Sequence, residues 1–153
     1  MKPLRMLLRV PVPWVYVLTY LVGVGVELLK PSRILVYHES QFVGWALFLI
    51  GMAIAGWGWM TFRRARTTTV PGETSSQLVT WGPYRYTRNP MYVGLTFAYF
   101  GEGFILKQFW PLVLLPLVVA YVNWIVIPLE EGKLREAFGG KYDEYRARVG
   151  RWL

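Results

Sequence analysis

The stretch Leu78–Gly94, LVTWGPYRYTRNPMYVG, decides how this chain is read. A Gly82-Pro83 turn is followed by Tyr84 and Tyr86, which with Trp81 interleave aromatic rings with Arg85 and Arg88. Asn89-Pro90 then precedes an apolar run. Asn favours the N-cap of a helix and Pro its first position, so the pair predicts a helix beginning there. The first turn of a helix carries unpaired N–H groups and the positive end of the dipole. Among aromatic and basic side chains, that helix start suits a ligand with a carboxylate or polar ring edges.

On either side of this stretch the chain is mostly apolar. Residues 12–29, 42–62, 91–106 and 110–129 form four apolar runs, the first interrupted by Glu27. A hydrocarbon core of about 30 Å needs about 20 such residues in a helix. The expected fold is all-α: one polytopic membrane domain over residues 1–153, with four transmembrane helices and an amphipathic C-terminal helix. A basic lead before the first run also describes a cleaved leader, but the run is long for one and no small-x-small site follows. Gly44, Gly51 and Gly58 recur every seven residues in the second run. Such a stripe lets helices approach closely, within the chain or in a dimer. The polar loop Arg63–Arg88 holds a Thr67-Thr68-Thr69 tract and a Pro71-Gly72 turn. Pro128 is expected to bend or end the fourth run. Gly139-Gly140 should split the remainder into two short helices. Leu134, Phe138, Tyr142, Tyr145 and Val149 give them an apolar face suited to the membrane surface.

The net charge is +8. Fourteen of the 17 Lys and Arg residues lie in the lead, the 63–88 loop and the segment after Leu129. Only Lys30, Arg33 and Lys107 fall on the other side of the predicted spans. The positive-inside rule then puts both termini and the loop in the cytoplasm. The charge is a topology and lipid signal, and nucleic acid is not an expected partner. With no cysteine and His38 as the single histidine, no metal is expected. A tight turn over Lys107–Phe109 should fold the third and fourth runs into a hairpin, bringing 78–94 beside Glu130-Glu131. Carboxylates among aromatic rings suit a cationic ligand, or they balance Arg85, Arg88, Lys133 or Arg135. Glu102, a carboxylate within a span, is read as functional or as snorkelling and pairing with Lys107.

The run LVTWGPYRYTRNPMYVG, the glycine-bearing helix after it, Glu130-Glu131 with Leu134, and FGGKYDEYRARV (Phe138–Val149) together resemble the isoprenylcysteine carboxyl methyltransferase family. The related phospholipid methyltransferases share much of the pattern. The resemblance covers Gln77–Val149 and implies an integral membrane enzyme using S-adenosylmethionine at the cytoplasmic ends of its last two long helices. Carried over by position, it implies cofactor contacts at Gln77, Leu78, Val79, Tyr84, Asn89, Pro90, Met91, Tyr92 and Glu130, with Glu131 a close second. Gly101-Glu102-Gly103 is similar to a glycine-x-glycine element of the phospholipid enzymes. Two positions depart from the pattern. Asn89 stands where the family often has His, and Val126 where the isoprenylcysteine enzymes carry a substrate Arg. The implied acceptor is therefore a lipophilic molecule entering from the bilayer, its carboxylate, amine or hydroxyl left open.

A carboxylate acceptor is already ionised and needs no base. An amine or hydroxyl acceptor must lose a proton, for which Glu130, Glu131, Tyr92 and, less so, Glu102 are candidates. Two other readings compete: an NADPH-dependent sterol or lipid reductase, for which the glycine-rich dinucleotide fingerprint is missing, and a non-catalytic membrane interaction protein.

Overall fold

An apolar run surrounded by lipid must satisfy its backbone internally, and each run here does so as a helix. The computed structural model describes residues 11–32, 39–65 and 77–153, and no strand occurs among them. Helix α1 spans Val12–Leu29, α2 Glu39–Arg64 and α3 Pro90–Ile105. A further helical stretch runs through Phe109–Phe138. It comprises α4 (Phe109–Tyr121), a π turn (Val122–Val126) and α5 (Ile127–Phe138), and is followed by α6 (Gly140–Arg148). The expected limits of the first three helices hold to within a turn. The fourth does not stop at Leu129, because a π turn precedes Pro128 and absorbs the missing N–H. His38, the basic lead, the threonine tract and the Pro71-Gly72 turn lie outside the described residues.

Among the described residues, three helical stretches are long and apolar enough to cross a membrane: Val12–Leu29, Gln41–Arg64 and Phe109–Phe138. Helix α3 has 16 residues. At ~1.5 Å per residue it reaches about 24 Å, short of a ~30 Å core. By length and composition three of the four expected spans qualify among the described residues, and α3 falls short of that length.

Helices α2 and α3 form the most extensive pair in the fold. The glycine stripe explains their proximity. A Cβ on Gly51 would meet the backbone nitrogen of Ala98 and the carbonyl oxygen of Gly94. One on Gly101 would meet the carbonyl oxygen of Gly44 and the backbone nitrogen of Phe48. Gly94 and Gly101 repeat the seven-residue spacing of α2, so two matching stripes seat the backbones against each other. The stripe is thus occupied within the chain and is not left over for a dimer contact.

Helix α1 lies on α4, where Glu27 makes the connection. Its Oε2 accepts hydrogen bonds from the backbone N–H of Phe109 (2.9 Å) and Trp110 (3.1 Å), and its Oε1 accepts one from Ser32 (2.6 Å). A carboxylate from another helix therefore caps the start of α4. Glu27→Ala is expected to cost about 1.5–3 kcal/mol, the usual worth of hydrogen bonds to a charged group. The check is the thermal unfolding midpoint in detergent, with Glu27→Gln falling between the two.

The α3–α4 turn is a Schellman motif: Gln108 N–H bonds the carbonyl of Gly103 (2.8 Å) and Lys107 N–H that of Phe104 (3.3 Å). Lys107 takes the left-handed position, with φ of 54°, where glycine is usual. Two cores result. Tyr16, Tyr20, Tyr99, Val118, Val122, Val126 and Ile127 gather between α1, α3 and the α4–α5 stretch. Ala65, Val79, Tyr84, Tyr142 and Tyr145 gather at the end where α3 begins. Leu134, Phe138 and Val149 join the second core. The apolar face expected to rest on lipid is instead turned onto the 78–84 loop. Between α1 and α4 an apolar groove of ≈ 360 Å³ is lined by Val15, Leu18, Val22, Leu114, Leu117 and Tyr121, among others.

Candidate functional site

The candidate site forms at the end of the bundle where α3 starts and α5 leaves the π turn. Pro90 opens α3 as the sequence predicts, with Asn89 at the N-cap position. The Asn89 side chain does not cap its own helix. Its Nδ2 donates to the carbonyl of Arg151 at 2.8 Å, and Thr87 Oγ1 donates to the same oxygen at 3.1 Å. The first turn of α3 is left without a side-chain cap.

One turn in from that start, the Tyr92 hydroxyl donates to Glu130 Oε1 at 2.8 Å. The expected proximity of the 78–94 stretch and the acidic pair is therefore realised as a specific contact. Neighbours on a helix point about 100° apart, and the two glutamates have separate fates. Glu130 faces Tyr92. Glu131 is held by two arginines: Arg88 Nη1 at 3.1 Å and Arg151 Nη2 at 2.8 Å. Its side chain is 13% exposed and that of Arg88 10%. Both Glu131 oxygens are engaged in this ion-pair network. Of the cations expected to balance the pair, Arg88 bonds Glu131, and Lys133 is the one that acts on Glu130.

Tyr84 supplies the third feature. It sits in a short 3₁₀ turn, Gly82–Arg85. Gly82 has φ of 63°, and a Cβ there would crowd Thr61 Oγ1 at 2.9 Å. The turn is held by Tyr145, whose hydroxyl donates to the Tyr84 carbonyl at 2.7 Å, and by Phe62, whose ring lies 5.0 Å from that of Tyr84. Tyr84 is 5% exposed, yet its own hydroxyl has no hydrogen-bond partner among the described residues. Burial first, then Tyr145 and Glu130, raises that hydroxyl above the ordinary tyrosine range, so it stays a protonated donor. A buried donor without a partner costs roughly 1–3 kcal/mol. An acceptor atom on a bound ligand would remove that cost.

The other positions read from sequence have varied surroundings. Val79 is buried in the second core and Leu78 packs against it, while Gln77 is exposed. Pro90 and Met91 lean on Gly58 of α2, which leaves their backbone as the part able to meet a ligand. Val126 is buried in the π turn. Gly101 and Gly103 face α2 and Leu112 of α4. They lie near the far end of α3, roughly 13–17 Å along the axis from Tyr92, so the two glycines contribute to helix packing and Glu102 is remote from the Tyr92–Glu130 pair.

Two elements had no local signal. In the π turn Ile127 N–H bonds the carbonyl of Val122. In the same register Pro128 would bond Asn123, but it has no N–H. Arg151 Nη1 donates to that Asn123 oxygen instead, at 3.3 Å. Trp152 Nε1 adds a bond to Asn123 Oδ1 at 3.0 Å. Among the described residues, no group of three or more His, Asp or Glu side chains is placed to hold a metal.

No curated protein matches the chain. The family profile described as phospholipid methyltransferase matches residues 40–141, which takes in α2, α3, the α4–α5 stretch and the glutamate pair. The chain belongs to the phospholipid methyltransferase family.

Proposed function

We propose that this protein is an integral membrane enzyme that transfers a methyl group from S-adenosylmethionine to a lipophilic acceptor. The observation that carries this reading is the Tyr92–Glu130 contact beside the unpartnered Tyr84 hydroxyl and the uncapped start of α3. Family membership favours methyl transfer over the reductase reading.

The residues fit the cofactor. Tyr84 has a donor to give, the N–H groups at the start of α3 suit a carboxylate, and Glu130 suits an ammonium or ribose hydroxyl. When bound, S-adenosylmethionine would supply a methyl group already activated by its sulfonium. The chain's own part is to align donor and acceptor and exclude water. Val79, Tyr142 and Tyr145 give the site an apolar floor. If the acceptor is an amine or hydroxyl, Glu130 is the group placed to take its proton, with Tyr92 orienting the carboxylate.

In this reading α3 crosses as a fourth, short span, its length accommodated by local thinning of the bilayer. That topology puts the start of α3 and Glu130 at one membrane face, as their hydrogen bond requires. The loop and the residues after Leu129 carry most of the positive charge, which puts this face in the cytoplasm. The acceptor enters sideways from the bilayer. The groove between α1 and α4, which reaches Tyr121 next to the π turn, supports that route.

Calorimetric titration of the detergent-solubilised protein with S-adenosylhomocysteine is the test. Saturable binding is expected, followed by label transfer from a methyl-labelled donor into a lipid extract. Folded protein that binds NADPH and not S-adenosylhomocysteine would reverse the assignment.

A further inference from the structure

We propose that Arg151 is a positioning residue for the cofactor end of this site, and that residues 150–152 are a clasp holding the start of α3 against α5. The inference rests on the methyl-transfer reading above.

The clasp is attached on both sides. Towards α3 it uses its backbone: Gly150 O accepts from Arg88 N–H at 3.0 Å, and Arg151 O accepts from Asn89 and Thr87. Towards the π turn and α5 it uses side chains: Arg151 reaches Glu131 through Nη2 at 2.8 Å and Nε at 3.3 Å, and Asn123 O through Nη1. Trp152 adds the bond to Asn123 Oδ1. A flat guanidinium can serve carboxylate and carbonyl together, which a lysine ammonium on a flexible stem cannot.

Two consequences reach the site. Fixing Glu131 fixes the rotation of α5, and with it the direction in which Glu130 points. Holding the Asn89 amide on Arg151 O also keeps it off its own helix. A side-chain cap by Asn stabilises a helix start. An arrangement serving stability alone would let Asn89 cap α3. Here the amide is drawn aside, and the N–H groups of that turn stay open to a ligand.

The test compares S-adenosylhomocysteine affinity of the full chain with Arg151→Ala and Arg151→Lys, alongside thermal midpoints without ligand. The expected result is a rise in Kd of about tenfold or more for Arg151→Ala, as preorganisation is lost, with little recovery in Arg151→Lys. A guanidinium compound added to Arg151→Ala should restore part of the affinity. If Arg151→Ala does not fold, Arg151→Gln keeps a donor for Asn123 while losing the ion pair, and the same rise in Kd is expected. A lower midpoint with unchanged Kd in the folded variant would reduce the clasp to a structural tie and overturn the proposal. Wild-type protein that binds no S-adenosylhomocysteine would instead remove the methyl-transfer reading, and the clasp with it.

Discussion

Glu130→Gln lowers kcat/KM for methyl transfer by about 10²-fold or more if Glu130 acts as the base, the lower end of what a positioned acid or base contributes. Glutamine keeps the shape of the side chain and an oxygen that accepts from Tyr92. It removes the charge and the capacity to hold a proton. The way the loss divides between kcat and KM identifies the acceptor class. For an amine or hydroxyl acceptor, kcat falls, because the proton has no destination. For a carboxylate acceptor no base is needed, so the loss appears in KM for the cofactor. Tyr92→Phe removes only the orienting hydrogen bond, worth about 0.5–1.5 kcal/mol, and should cost roughly tenfold or less. Initial rates with a labelled methyl donor decide the matter. Full activity in Glu130→Gln would sink the assignment of Glu130.

Gly51→Leu is expected to prevent the protein from accumulating in folded form. Overpacking a core usually costs about 1–3 kcal/mol because side chains can shift aside. At Gly51 the obstacle is the backbone of α3, at Ala98 and Gly94. Relief would need the two most extensively paired helices to separate, and Pro90 and Met91 lean on α2 at the end of that seam. A cost at or beyond the upper end of that range is therefore expected. Gly56→Leu is the control, because a Cβ there meets nothing within 4 Å. Size-exclusion profiles and thermal midpoints of the two variants in one detergent should separate them clearly. Equal behaviour would mean that the α2–α3 seam is not as close as described.

What was legible in the sequence is what local rules govern. Asn89-Pro90 marks the start of α3 because proline fixes its own backbone angle. Gly44, Gly51 and Gly58 announce a close helix contact because only the absence of a side chain permits one. The proximity of Tyr92 and Glu130 followed from a short turn, since a hairpin brings its outer ends together. What was not legible depends on residues far apart in the chain. Nothing near Arg151 indicates that its carbonyl receives the Asn89 amide 62 residues away. The same holds for Glu27, which interrupts an apolar run for the sake of a helix 82 residues later. Pro128 predicts a bend or an end of the run, and the π turn in front of it and Arg151 across from it let the helix continue. The two glutamates are adjacent in sequence and equivalent in composition. Only the direction of α5 tells that one faces the site and the other is locked between arginines.

The Glu27 cap also sets an order of events during synthesis. Its partner N–H groups at Phe109 and Trp110 are made 82 and 83 residues later. At about 5–20 residues per second, the ribosome takes roughly 4–16 s to reach them. Through that interval α1 exists with a carboxylate on an apolar helix and none of the α4 backbone to receive it. Its attachment can be completed only when the start of α4 arrives, so α1 is made well before it is secured.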